Sequence, residues 1–214
     1  MASASLLKQL VRRLGYLPGL GPRSGRRVAL YLLKNRQRVL LPLIELLRQA
    51  AEKVHPCSVC GYMDQQDPCV LCQDTTRDNA VLCVVSHIPD VWAMERGKHF
   101  NGRYHILGGN LSVLEGVGPG DLRIASLIER LKAGTCSEVI LALSSTVEGA
   151  ATTHLVLQEI KRAGLQDVTI TLLARGVPTG GELDFLDEAT LKAALDGRQQ
   201  LSPAASVSPD TSAA

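Results

Sequence analysis

Four cysteines in two tight pairs, Cys57-Ser-Val-Cys60 and Cys69-Val-Leu-Cys72, constrain the fold of this chain more than any other feature. Each Cys-x-x-Cys offers two thiolates to one ion, and the span from Gly61 to Pro68 is short enough to bring the second pair back onto the first. Four thiolates around one cation form a closed tetrahedral zinc site with no open position for water, so such a site builds structure and does not catalyse. Two other readings compete. Disulfides need an oxidising compartment, and nothing in the chain suggests one. A redox Cys-x-x-Cys stands alone near a βαβ pattern, whereas here there are two, in a loop with Asp64, Asp67 and Pro68. Four thiolates over-neutralise a divalent ion, and Lys53, His55 and Arg77 lie close enough in sequence to offset the excess. His55 is a spare donor that four well-spaced cysteines make unnecessary. Cys83 and Cys136, in or beside apolar runs, read as buried thiols.

The chain has 214 residues, enough for one large domain or two small ones. Aromatic residues make up only 3%, so its core is aliphatic and a base-stacking platform is not expected. No run approaches the ~18 apolar residues of a membrane span. Lys8, Arg12 and Arg13 interrupt any signal-peptide core, which points to a cytoplasmic protein. The formal charge of +2 hides an asymmetry: residues 1–55 hold eleven Lys and Arg against Glu45 and Glu52, a net +9. The remainder holds 12 basic and 19 acidic residues, a net −7. A positive end on a negative body suggests that the first segment meets a polyanion; a solvated helical surface is the plainer reading.

Leu6, Leu7, Leu10, Val11 and Leu14 recur at helical spacing, and Gly15 ends that helix. A second helix follows through Val28, Ala29, Leu32 and Leu33, and a third from about Leu41 to Val54. Beyond the cysteine loop the pattern changes. Short apolar runs at Ala80–Val85, Tyr104–Leu107, Glu138–Leu143 and Val168–Leu173 read as strands. Helical stretches at Pro89–Gly97, Asp121–Ala133, Glu148–Ala163 and Asp187–Leu195 accompany them. That alternation predicts an α/β domain with a mostly parallel sheet, within an α+β multi-domain chain. Residues 199–214, rich in Ser, Pro and Ala, are expected to be disordered.

The turn Leu17-Pro18-Gly19-Leu20-Gly21 joins the first two helices. Gly19 and Gly21 permit backbone angles closed to other residues, so that N–H groups face outward at the start of the second helix, where an anion is favoured. Arg23, Arg26 and Arg27 follow at i, i+3, i+4 and share one face. For an isolated protein this is unfavourable. Cations at a helix N-terminus oppose its dipole by roughly 0.3–1 kcal/mol each, and they repel one another. Bound phosphate reverses both effects, and contacts to the backbone alone give sequence-independent binding.

The chain resembles the RecR family of bacterial recombination mediators over residues 1 to about 198. The likeness rests on motifs in one order: Leu17-Pro-Gly-Leu-Gly-Pro-Arg-Ser24, the cysteine tetrad followed by Asp74 and Arg77, and Gly102-Arg-Tyr-His-Ile-Leu107. It continues in Leu111-Ser112, Gly116-Val-Gly-Pro119, Thr146-Val-Glu-Gly149 and Gly176-Val-Pro-Thr-Gly-Gly-Glu-Leu183. The resemblance implies a helix-hairpin-helix domain at 1–54, a zinc finger at 55–78 and a Toprim-like α/β domain at 79–175. A C-terminal segment at 176–198 would help form a ring tetramer. It further implies DNA contact through Arg23 and Arg27, and one zinc on Cys57, Cys60, Cys69 and Cys72. It also implies action with RecO and RecF to place RecA on single-stranded DNA. The chain departs from the family pattern where Ser86 stands for the glutamate of the Toprim metal site and Ala150 for a usual acid. Glu148 and Asp90 are the acids left near that face, which the family associates with partner docking. Asp64 stands where a Ser or Thr is usual.

A Toprim phosphotransferase or nuclease needs several carboxylates around a hard cation, and Glu148 alone does not form that site. His87 lacks a partner in sequence, and neither Ser144 nor Ser145 sits in a Gly-x-Ser-x-Gly elbow. Gly116-Val-Gly-Pro-Gly120 lacks the lysine of a nucleotide loop. Trp92 is expected to be partly packed with Ile88 and Met94. The expectation is therefore a non-enzymatic DNA-binding factor. A degenerate Toprim nuclease or primase-like enzyme is the alternative, and an RNA-binding zinc-ribbon protein stands third.

Overall fold

The computed structural model describes residues 5–98, 100–174, 176–177, 184 and 186–197. The expected motif residues 178–183 and the tail 199–214 lie outside the described residues. Three helices come first: α1 (Leu6–Gly15), α2 (Pro22–Lys34) and α3 (Leu41–Lys53), the last preceded by a π-helical turn at Arg36–Leu40. Ser5 caps α1 by accepting from Lys8 N–H at 3.4 Å. The α1–α2 hairpin is set by a close backbone crossing that sequence periodicity did not show. A Cβ on Gly25 would lie 2.6 Å from Gly15 N and 2.7 Å from Gly15 Cα, so only glycine fits there. Between residues 5 and 54 only Gly25, Ala29 and Leu32 are buried.

The cysteine loop carries a two-strand ladder, β1 (His55–Pro56) against β2 (Met63–Asp64), and one helical turn, α4 (Val70–Gln73). The remainder is a four-stranded, wholly parallel sheet in the order β4-β3-β5-β6. Its strands are β3 (Asp78–Val85), β4 (Gly102–Ile106), β5 (Glu138–Ala142) and β6 (Thr169–Leu172). The helices α5 (Ile88–Gly97), α6 (Ile124–Lys132) and α7 (Val147–Arg162) connect them, and α8 (Glu188–Asp196) follows. The helix expected from Asp121 starts at Ile124 instead, because a 3₁₀ turn occupies Pro119–Asp121.

Alternation along β3 divides the core. Leu82 and Val84 face Leu127 and Leu131 of α6 and Val156 and Ile160 of α7. Cys83 and Val85 face Val91 of α5, with Tyr62 and Leu71 of the cysteine loop beside them. Helices cover one face, and α5 with the metal loop covers the other, as a parallel sheet requires. Each buried aliphatic side chain contributes roughly 1.5–3 kcal/mol. The sheet domain has many such residues, and the three N-terminal helices almost none.

β4 is an edge strand whose outward groups are engaged. Gly102 O accepts from Arg77 Nη1 at 3.2 Å, Tyr104 O from Arg130 Nη1 at 2.7 Å, and Ile106 N–H donates to Cys60 O at 2.8 Å. The cysteine loop thus seals the edge against pairing with another strand. No helix among the described residues is long and apolar enough to cross a membrane.

Candidate nucleic-acid interface and metal centre

The turn between α1 and α2 leaves backbone N–H groups uncapped at the start of a helix. Gly19 has φ +77°, a left-handed conformation that other residues resist. Gly21 corrects the sequence expectation: its φ of −82° and ψ of 178° are open to any residue. No atom stands within 4 Å of where its Cβ would be, so its bareness is free space at the helix start and not a conformational need. Helix α2 has no side-chain cap and no acid in its first turn, and Pro22 has no N–H to satisfy. The N–H groups of Arg23 and Ser24 are therefore left for an external acceptor.

Arg23, Arg26 and Arg27 are exposed and have no ion pair among the described residues. The segment's two acids cannot serve them, since Glu45 and Glu52 both bind Arg48, at 2.8 and 2.7 Å. Arg12 is held by its neighbour Tyr16, 3.2 Å from Nε to the hydroxyl. The uncompensated positive charge read from sequence is thus displayed in the fold.

The four cysteines converge. Their sulfurs lie within 4.8 Å of one another, and Cys57, Cys60 and Cys69 are fully buried. The Cys69 N–H points at Cys57 Sγ at 3.3 Å and the Tyr62 N–H at Cys60 Sγ at 3.4 Å, contacts that favour thiolates. Without a cation the sulfurs resist ionising together. The hydrogen bond to Cys72, with burial, drives the Cys60 thiol far up, and burial pushes Cys69 up to about 12. A bound divalent ion relieves that conflict. The donor set fits one structural zinc, with no room for catalytic water.

Arg77, one of the charges expected to balance this centre, acts differently. Arg77 is taken by Asp74 at 3.3 Å and Glu95 at 2.6 Å. Two arginines that sequence reasoning missed clasp the loop instead. Arg103 of β4 donates to Leu71 O and Cys72 O at 2.8 and 3.0 Å, and Arg123 to Cys57 O and Ser58 O at 3.4 and 3.1 Å. Both sets of partners are backbone carbonyls distant in sequence, so no local motif marks them. Trp92 is 57% exposed, and its Nε1 donates to Tyr62 Oη at 3.0 Å. Cys83 is buried as expected, whereas Cys136 is only half-buried.

At the C-terminal end of the sheet, the switch between β3 and β5 opens a concavity lined by Ser86, His87, Asp90, Asn110 and Ser144. Two pairs of its polar residues are joined to each other. Ser86 Oγ donates to Asn110 Oδ1 at 2.7 Å, and Asp90 Oδ2 accepts the His87 N–H at 2.7 Å, closing the start of α5. Glu148 is exposed and lines a different concavity, with Val147 and the loop 111–119. The two acids named as partner-binding therefore do not share one pocket.

The helical hairpin, four-sulfur centre and parallel sheet define a modular protein of the helix-hairpin-helix, zinc-finger and Toprim class. Residues 7–51 match the RecR helix-hairpin-helix, 54–74 the four-cysteine zinc finger domain of RecR, 80–174 the Toprim domain and 176–199 the RecR C-terminal region. The Recombination protein RecR of Caulobacter sp. (strain K31) is 53% identical over 193 residues, 90% of this chain and 95% of the relative. Those of Hyphomonas neptunium and Brucella melitensis biotype 1 are 52% and 50% identical, covering 90% and 91% of this chain and 94% and 96% of theirs. The chain belongs to the RecR family of recombination proteins.

Proposed function

We propose that this protein is a non-enzymatic recombination mediator that binds single- and double-stranded DNA without sequence preference. It acts with RecO and RecF to help RecA assemble on single-stranded DNA. One observation carries the DNA reading: α2 starts at a bare glycine with no acid or side-chain cap, beside three arginines without ion pairs among the described residues. Phosphate oxygens satisfy the free N–H groups and the guanidinium groups together. Gly19, Gly21, Arg23, Arg26 and Arg27 form this surface.

The Toprim face supports a binding role. A divalent cation there needs several oxygen ligands, and the pocket offers Asp90, already committed to the start of α5, beside neutral Ser86, Asn110 and Ser144. Glu148 and Asp90 are assigned to protein partners. Assembly into a ring tetramer fits the N-terminal helices, which leave Leu6, Leu46 and Leu47 exposed. A ring would line its opening with the +9 segment. The working compartment is the cytoplasm, at the nucleoid.

The test is RecA assembly on single-stranded DNA coated with single-strand-binding protein, in the presence of RecO. Addition of this protein should accelerate assembly, and no acceleration would remove the mediator reading. In parallel, labelled DNA incubated with magnesium should stay intact. Cleavage abolished by Glu148→Ala would establish the Toprim nuclease reading instead.

A further inference from the structure

We infer that the tip of the turn between Leu111 and Val117, with Val147 beside it, is the apolar anchor of a docking surface for a basic, amphipathic segment of a partner protein. This deepens, and rests on, the assignment of Glu148 to protein partners. Val113, Leu114 and Val147 are 99%, 96% and 88% exposed. Single exposed aliphatic residues are ordinary, but these three border one concavity with Leu111, Val117 and Pro119. Contiguous apolar surface of this kind marks an interaction site.

The tip is held rigidly, so exposure is built in. Ser112 N–H donates to Val117 O at 3.1 Å and Val117 N–H to Ser112 O at 2.8 Å, while Ser112 Oγ accepts from Glu115 N–H at 3.2 Å. Its base is tied to α7: Leu111 N–H donates to Thr152 Oγ1 at 2.9 Å, and that hydroxyl donates to Glu148 O at 2.7 Å. A preset tip loses little conformational freedom on binding.

Charge selects the occupant. Glu115 and Glu148 are exposed without ion pairs among the described residues, and no Lys or Arg lines the concavity. The Glu148 carboxylate is not used to start α7, since Thr146 Oγ1 accepts the Gly149 N–H at 3.1 Å. DNA is repelled here. An apolar concavity bordered by Glu148, with Glu115 exposed in the same turn, fits apolar side chains flanked by Lys or Arg, the usual core-and-rim arrangement of an interface.

The probes are purified RecO and, separately, RecF, titrated against the full chain and two variants, Val113→Ser with Leu114→Ser, and Glu115→Lys with Glu148→Lys. The serine pair should weaken binding of at least one partner roughly thirtyfold, the scale of losing an interface hot spot. The charge-reversal pair should slow association and flatten its salt dependence. DNA affinity, oligomer size and thermal stability should not change, because all four side chains are exposed to solvent. Unchanged affinity for both partners overturns the inference and leaves the partner reading intact. Loss of oligomer size in the serine variant also overturns it, showing a second copy as occupant. If the unmodified chain binds neither RecO nor RecF, the partner reading itself falls and this surface with it.

Discussion

The N-terminal helices and the zinc-braced sheet handle charge and apolar surface in opposite ways. In the sheet domain Arg77, Arg103, Arg123 and Arg130 each reach a carboxylate or a backbone carbonyl within the fold. In the N-terminal segment Arg48 takes both acids, and the other ten cations have no ion pair among the described residues. The sheet domain buries most of its aliphatic residues, with Val113, Leu114 and Val147 left out at one rim, whereas the N-terminal helices bury only Ala29 and Leu32. The buried arginines of the sheet domain are satisfied from within and hold a scaffold, whereas the cations of the N-terminal helices stay open to solvent.

The largest effect that probes this contrast is removal of the metal. Zinc-site binding energy is folding energy, on the order of 10 kcal/mol. Chelation should unfold residues 55–78 and expose the β4 edge. In hydrogen exchange the Ile106 amide, bonded to Cys60 O, should lose protection, while the Leu107 amide, bonded to Val85 O inside the sheet, should keep it. Equal loss at both would show that the metal loop holds the whole sheet. Equal retention would show that it braces nothing.

The next effect is acid sensitivity of the scaffold. His105 is fully buried with its Nε2 2.9 Å from Arg123 O, and Nδ1 has no partner among the described residues. Burial pushes its pKa down to about 4, helped by the cations of Arg130 and Arg123 and opposed by the carbonyl. The unfolded chain takes this proton near pH ~6.5. Stability is therefore full above about 6.5 and falls as pH drops toward 4, by about 3 kcal/mol in all. Denaturant melts should show that acid limb, and His105→Gln should flatten it. An unchanged limb would place the acid sensitivity elsewhere.

Smaller effects separate the glycines of the hairpin. Gly25→Ala pushes a methyl into the Gly15 backbone and should destabilise α1–α2 by roughly 1–3 kcal/mol, the range for overpacking. Gly19→Ala should cost about 1 kcal/mol for its positive φ. Gly21→Ala meets no neighbour, so it should leave the melt unchanged and weaken DNA binding by crowding the phosphate. A Gly21 variant that loses stability, or that binds DNA normally, would break the distinction.

Much of this was legible in the residues. Two Cys-x-x-Cys pairs announce a metal site because ligand chemistry is local, and β/α alternation announces the sheet because burial on both faces leaves apolar runs. What stayed hidden is long-range or backbone-made. The Gly15–Gly25 crossing has no side chain to read. The clasps from Arg103 and Arg123 end on carbonyls that every residue owns. Arg77 looked free to balance the zinc because its partner Glu95 lies on another element. The extended backbone at Gly21 is likewise invisible until the turn is built.

The salt dependence of DNA binding bears most directly on the idea that the arginine-flanked glycine turn grips phosphate. The affinity of the full chain and of the Arg23→Ala, Arg27→Ala double variant should be measured across a salt series. Removing each phosphate-binding arginine should lower the log–log slope by about 0.9 on duplex and about 0.7 on single strands, equally for unrelated sequences. An unchanged affinity and slope would place the DNA elsewhere on the molecule.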